Sequence, residues 1–213
     1  DIHNAAQMMN AGKAVIPKGA MEDLEYFLTE RGFTYYTRAD ETTKVLTDIF
    51  FVHKHSHTMW CAFPHVLMID ATYNTNMYNM AFVQVVGMAS TNQSFSIAHA
   101  FLSSEKIDNY IWLLERIRSM LDKCMEPRVI VTDRDLALMN ACDEVFPKAY
   151  KYLCRFHISQ NINRNSKKEF TDKEWKEFVR MFWWLCDSAT ETLYEYNLGQ
   201  FQSYLEKMDR LGK

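Results

Sequence analysis

Two short apolar runs, each closing on an aspartate, constrain this chain more than any other feature. The first is His65-Val66-Leu67-Met68-Ile69-Asp70 and the second is Pro127-Arg128-Val129-Ile130-Val131-Thr132-Asp133. Short, nearly continuous apolar runs rich in β-branched residues read as buried strands. A strand that ends on a carboxylate delivers it to the carboxyl edge of its sheet. If the two strands are neighbours, Asp70 and Asp133 meet at that edge, and the natural third party is a divalent metal.

The elements around these strands set the fold class. Residues 1–31 read as helical: Met21, Leu24, Phe27 and Leu28 fall at helical spacing, Pro17 and Gly19 mark a preceding loop, and Gly32 is a stop. Residues 33–37 and 45–52 are β-rich around a polar stretch at 39–43, which predicts a hairpin. Past Asp70 come a turn-rich segment (71–76), a strand at 80–88, a polar turn, and a strand at 95–102. Ser103-Ser104-Glu105 then offers capping groups and a first-turn acid to a helix whose stripe is Ile107, Tyr110, Ile111, Leu114, Ile117 and Leu121. The strand to Asp133, a helix over about 135–145 stopped by Pro147, a strand at 150–154 and a further helix follow.

The tail reads as all-helical. Thr171-Asp172-Lys173-Glu174 and Ser188-Ala189-Thr190-Glu191 each fit a capping box, and Gly199 is expected to interrupt the last helix. Trp175, Phe178, Val179, Phe182 and Leu185 form an inward stripe. From residue 65 the order is β-β-β-α-β-α-β-α: an antiparallel meander, then strands delivered by helical crossovers, in one mixed α/β sheet. In that order the end of the first strand can sit beside the end of the fourth. Three parts are expected: a helix and hairpin segment (1–61), the α/β core (62–165) and the start of a helical insertion (166–213).

Composition limits the function classes. The apolar share of 48% and 14% aromatics support a real core and argue against disorder. A net charge of −3 gives no basic signature, so nucleic-acid binding needs a local groove rather than global charge. Five scattered cysteines, Cys61, Cys124, Cys142, Cys154 and Cys186, are not a disulfide framework and point to a reducing compartment. No apolar run approaches the roughly 18 residues of a spanning helix, so no membrane partner is expected. Without an initiator Met or a signal peptide, the chain reads as a piece of something longer.

Three constellations carry chemistry. Two-metal phosphoryl transfer needs carboxylates gathered around shared ions, and Mg²⁺ suits a pair such as Asp70 and Asp133 because it keeps sites for water and phosphate oxygens. The competing reading makes each aspartate a turn or cap residue; Asp135 in particular reads as a helix cap. Cys154 and His157 have the spacing of half a zinc site, but no second Cys/His pair of suitable spacing occurs, so zinc is not favoured. His53, His55 and His57 alternate at strand spacing, and nothing marks an activated thiol. Arg155, Arg164, Lys167 and Lys168 form a locally basic stretch, either a solvated face or a hold on a phosphate backbone. Tyr73 and Tyr78 are candidates for stacking on a base or for packing.

In order along the chain, Ile69-Asp70-Ala71-Thr72-Tyr73, Val86-Gly87, Phe101-Leu102-Ser103-Ser104-Glu105, Val131-Thr132-Asp133-Arg134-Asp135-Leu136-Ala137-Leu138 and Leu153-Cys154-Arg155-Phe156-His157-Ile158 resemble the Mutator-like element (MULE) transposase domain. The far-red-impaired-response plant regulators are its domesticated relatives. The resemblance covers about residues 62–165. It implies a ribonuclease-H-like fold with a five-stranded mixed sheet, and an Asp-Asp-Glu site holding two Mg²⁺ or Mn²⁺ ions. Asp70 and Asp133 would be the first two acids, and Cys154 and His157 a structural or DNA-associated Cys-x-x-His. It also implies transposon-end DNA as partner, a nuclear location, and cleavage and joining of DNA strands; homo-oligomerisation stays open. The family's third acid lies in a Glu-Ser-x-Asn type of stretch, which does not occur here. Glu169, Glu174, Glu177, Glu191 and Glu195 all fall in the expected insertion, so the third acid is expected beyond Lys213 or lost, and the chain alone is expected to be inactive. The alternative is a DNA-binding regulator that keeps the fold without the chemistry.

Overall fold

A computed structural model describes residues 18–72, 76, 78–122 and 125–210. The expectations for residues 1–17 and for Tyr73 and Cys124 lie outside them. The chain divides after Cys154 into two compact units.

The first unit starts with α1 (Lys18–Glu30), which runs through the expected Gly19 loop. Gly32, at φ 73°, then turns the chain into β1 (Phe33–Ala39). β1 pairs antiparallel with β2 (Leu46–His53), as the hairpin reading requires. The hairpin does not stand alone. β2 also pairs antiparallel with β5 (Ser94–Leu102), from Asp48 opposite Leu102 to Phe51 opposite His99. The sheet therefore has seven strands rather than the expected five. The cause is in the residues of β2: Ile49, Phe50, Phe51 and Val52 are successive and all buried, and a strand apolar on both faces needs neighbours on both edges and cover on both sides.

A second correction concerns the histidines. His53 ends β2, and its ring Nδ1 accepts the N–H of His55, capping α2 (Lys54–Ala62). His55 and His57 are thus helical, and their alternation is not a strand. β3 (Val66–Thr72) follows, then β4 (Ala81–Met88) and β5. α3 (Ile107–Ser119) crosses to β6 (Val129–Thr132), and α4 (Leu136–Val145) crosses to β7 (Tyr150–Leu153). These crossovers make β3, β6 and β7 parallel, while β3, β4 and β5 form the antiparallel meander. The strand order is β1-β2-β5-β4-β3-β6-β7.

The alternating pleat divides the core. Leu67, Ile69, Val83, Val85 and Ile130 meet α3 and α4 through Leu113, Leu114, Ile117, Leu138 and Ala141 on one face. On the other face Ile49, Phe51 and Phe101 pack with Leu24 and Leu28 of α1 and with Tyr78 and Met80. Gly87 lies opposite Phe95, and a Cβ there would come within 2.6 Å of that ring, so the glycine admits the phenyl group.

The second unit contains α5 (Arg155–Ser166), a short 3₁₀ turn (Lys167–Glu169), α6 (Asp172–Cys186) and α7 (Glu191–Arg210). The Thr171/Glu174 capping box forms as expected. The second box does not: Thr190, not Ser188, accepts the N–H of Leu193 at 3.2 Å, while the Ser188 hydroxyl donates to the Trp184 carbonyl. Gly199 does not break α7, which continues through it.

Candidate active-site edge of the sheet

β3 and β6 pair in parallel with Val66 opposite Val129, Leu67 opposite Ile130 and Met68 opposite Val131. Asp70 lies two residues further along β3, and Asp133 directly follows the last residue of β6. The pairing stops at Met68 and Val131, two residues before each aspartate, and both aspartates are half-buried. The next strand joins the row, since Thr132 lies opposite Leu153 and the N–H of Cys154 donates to the Thr132 carbonyl at 2.6 Å. Asp133 and Cys154 each follow the last residue of their strands, while Asp70 lies inside β3, which continues to Thr72. The carboxyl edge of parallel strands is where open α/β sheets place their ligand chemistry.

Asp133 is oriented by its own turn. One carboxylate oxygen accepts the N–H of Asp135 at 3.2 Å, and the buried Thr132 hydroxyl donates to the Asp133 carbonyl at 2.8 Å. Such a turn fixes a short side chain against its backbone and leaves its second oxygen to face elsewhere. Asp135 behaves as the cap it was read to be, accepting the N–H of Leu138 at 2.7 Å at the start of α4. Asp70 lies opposite Gln84 of β4, whose side chain is exposed. Beyond these strands the same sheet face carries Tyr150 and Tyr152, 71% and 58% exposed.

The donor set fits Mg²⁺ only in part. Two carboxylates suffice for an ion that also takes water and phosphate oxygens. Among the described residues, no group of three or more His, Cys, Asp or Glu side chains is arranged to hold a metal.

The other candidates divide as follows. Cys154 is the last residue of the first unit and His157 stands in the first turn of α5, in the second. Arg155 is ion-paired with Asp187 at 2.8 Å and lies over the Trp183 ring at 4.6 Å. Arg164, Lys167 and Lys168 are exposed, with Lys168 3.8 Å from Glu169. Tyr78 is 4% exposed within the α1 cluster, so it packs and does not stack on a ligand. Burial pushes the Cys142 thiol up to about 12 and raises that of Cys186, so neither is an activated nucleophile.

Sequence reasoning missed a polar centre at the far end of the meander. Asp48 is fully buried, and its carboxylate accepts from Arg38 Nε at 2.7 Å, Asn109 Nδ2 at 2.8 Å and the Ser103 N–H at 3.1 Å. The Ser103 and Ser104 hydroxyls engage Asn109, and α3 has no side-chain cap bond at Lys106. The expected capping role of these serines is thereby replaced by the tie to Asp48. A lone carboxylate inside an apolar strand was the available signal.

Residues 66–161 match the family model of the MULE transposase domain. FAR1-related sequence 6 of Arabidopsis thaliana is 27% identical over 135 residues, 63% of this chain and 19% of that protein. FAR1-related sequence 12 of the same plant is 24% identical over 179 residues, 82% of this chain and 22% of the relative. A PKS-NRPS hybrid synthetase, cheA of Chaetomium globosum, is 36% identical over 106 residues, 49% of this chain but 2% of the synthetase. This chain thus spans about a fifth of the FAR1-related proteins and a small fraction of the synthetase, whose name carries nothing over to it. Over residues 66–161 the chain is thus similar to the MULE transposase domain, and over a longer stretch it is similar to the FAR1-related sequence proteins.

Proposed function

We propose that this domain is the DNA-handling core of a MULE-type transposase, with a ribonuclease-H-like fold in which Asp70 and Asp133 hold Mg²⁺ or Mn²⁺ against a DNA phosphodiester. The observation that supports the reading is the parallel β3–β6 pairing, whose last pair, Met68 and Val131, stands two residues before Asp70 and Asp133. The five strands after residue 65 support it: three antiparallel, then two parallel strands added beside the first.

The protein's own contribution is positioning. Neighbouring strands run about 4.8 Å apart, a separation that lets two carboxylates share one ion. The Asp135 N–H and Thr132 hydroxyl hold the Asp133 turn, and the Asp135 cap fixes the start of α4 just behind it. When bound, the metal would polarise the phosphodiester and lower the pKa of the attacking water. No Glu-Ser-x-Asn stretch occurs in residues 1–213, so on this reading the third acid is beyond Lys213 or lost.

A second reading is a DNA-binding regulator that has kept the fold without the chemistry, favoured by the similarity to the FAR1-related sequence proteins. One experiment separates the two. The longer protein is incubated with DNA bearing the element's ends and Mg²⁺ or Mn²⁺. The transposase reading expects strand cleavage that Asp70→Asn and Asp133→Asn each reduce by at least about 100-fold, since even outer partners of metal ligands are worth about 10–100-fold. Cleavage that survives either substitution sinks the site assignment; binding without cleavage favours the regulator.

A further inference from the structure

The second unit contains a cleft of about 290 Å³ whose two walls differ in chemistry. One wall is the α6 stripe of Trp175, Phe178, Val179, Phe182 and Trp183. These residues recur at the three- and four-residue steps of a single helix face. The other wall is α5, which presents Ser159, Gln160 and Asn163 beside one apolar residue, Ile162, with Lys167 of the 3₁₀ turn at its end. No residue of α5 is buried, and its Gln160 and Asn163 amides are exposed.

A helix pair made only for packing closes apolar stripe on apolar stripe. α6 does this with α7, where the Phe201 ring lies 5.3 Å from Phe178 and 6.5 Å from Phe182. Toward α5 the same helix meets two amides and a hydroxyl with only Ile162 apolar among them, and a cleft remains. Rings on one side and hydrogen-bonding edges on the other suit a flat heteroaromatic ligand with polar edges. Charge narrows the choice further. With Arg155 already paired to Asp187, the stretch that follows carries Arg164, Lys167 and Lys168 against Glu169 alone, in a protein whose net charge is −3. A flat, edge-polar group attached to an anion is a nucleotide.

We propose that this cleft receives a single unpaired DNA base, which stacks on the α6 aromatics and is read at its edge by Gln160 and Asn163, while Lys167 meets the adjoining phosphate. The proposal rests on the DNA reading above. Enzymes that extrude bases hold them in this manner, between aromatic side chains and edge hydrogen bonds, and base–aromatic stacking tolerates any sequence.

The test uses the 213-residue chain and two dye-labelled DNA duplexes, one fully paired and one identical except for a single bulged 2-aminopurine. The bulged duplex is expected to bind about tenfold more tightly, with its 2-aminopurine fluorescence quenched by the tryptophans on binding. Trp175→Ala is expected to erase both effects. The double substitution Gln160→Ala with Asn163→Ala changes only exposed helical positions, so it folds, and it is expected to bring the bulged duplex down to the affinity of the paired one. Equal affinity for the two duplexes in the unsubstituted protein overturns the proposal and leaves the DNA reading standing, as does a tenfold preference that survives the double substitution. Absence of binding to either duplex overturns both.

Discussion

A carboxylate sealed from water needs partners on every side, and Asp48 has them in Arg38, Asn109 and the Ser103 N–H. Removing one member of a buried charged pair costs about 3–5 kcal/mol, because the partner is left without compensation. Asp48→Ala is therefore expected to lower unfolding free energy by roughly 3 kcal/mol, at the low end because Arg38 is a third exposed and water can reach it. Urea titration of the first unit reads this directly, and a change under 1 kcal/mol would reduce Asp48 to a bystander. His99 presents the opposite case. Its ring is stacked between Phe51 at 5.5 Å and Phe82 at 5.6 Å, with Ser96 Oγ 3.2 Å from Nε2, and burial lowers its pKa. The unfolded chain then binds a proton that the folded chain resists, so stability is full above the ordinary histidine pKa of about 6.5 and is lost as pH falls below it. His99→Phe is expected to remove that part of the pH dependence between pH 7 and 5, measured as melting temperature against pH; an unchanged slope would assign it to another group.

At the scale of elements, what the sequence makes legible follows how local the cause is. The Thr171/Glu174 box was readable because its donors and acceptors lie within four residues. The paired aspartate strands and the crossover helices were readable because long apolar periods dominate them. α2 was not: its single buried side chain, Trp60, gives no stripe, and the alternating histidines mimic a strand. The β2–β5 pairing was not readable either, since nothing within residues 46–53 names a partner some fifty residues away. Of the candidate edge, the parallel pairing of the two aspartate-bearing strands could be expected from element order. The cleft of the second unit could not, because it arises from two helix faces that fail to match. Gly199 makes the local rule testable. A Cβ there would meet nothing within 4 Å and the backbone is helical, so the glycine serves no visible structural end. Gly199→Ala is expected to stabilise α7 by about 1 kcal/mol through helix propensity alone, seen as a rise in the thermal midpoint of the second unit; no rise would show that the position has another constraint.

For the first unit as a whole, the hairpin is structural rather than appended. Phe50 and Val52 lie in the same core cluster as Leu67, Val83 and Ile117, and Ile49 and Phe51 anchor α1. A chain lacking residues 1–53 would expose the long β5 edge and lose the Asp48 tie to α3. It is expected to lose cooperative unfolding and to aggregate through that edge; a sharp two-state melt from such a truncation would show that the five-stranded part is self-sufficient. The same pairing also dictates a sequence of events. On the ribosome, residues 46–53 emerge about fifty residues before Leu102, the partner of Asp48. At about 5–20 residues per second the interval is roughly 3–10 s, during which β2 has β1 on one edge but lacks β5 on the other. Nascent chains of this protein should therefore be held by chaperones over that window and released once residue 102 has cleared the exit tunnel, so slowing translation between residues 53 and 102 should lower the soluble yield.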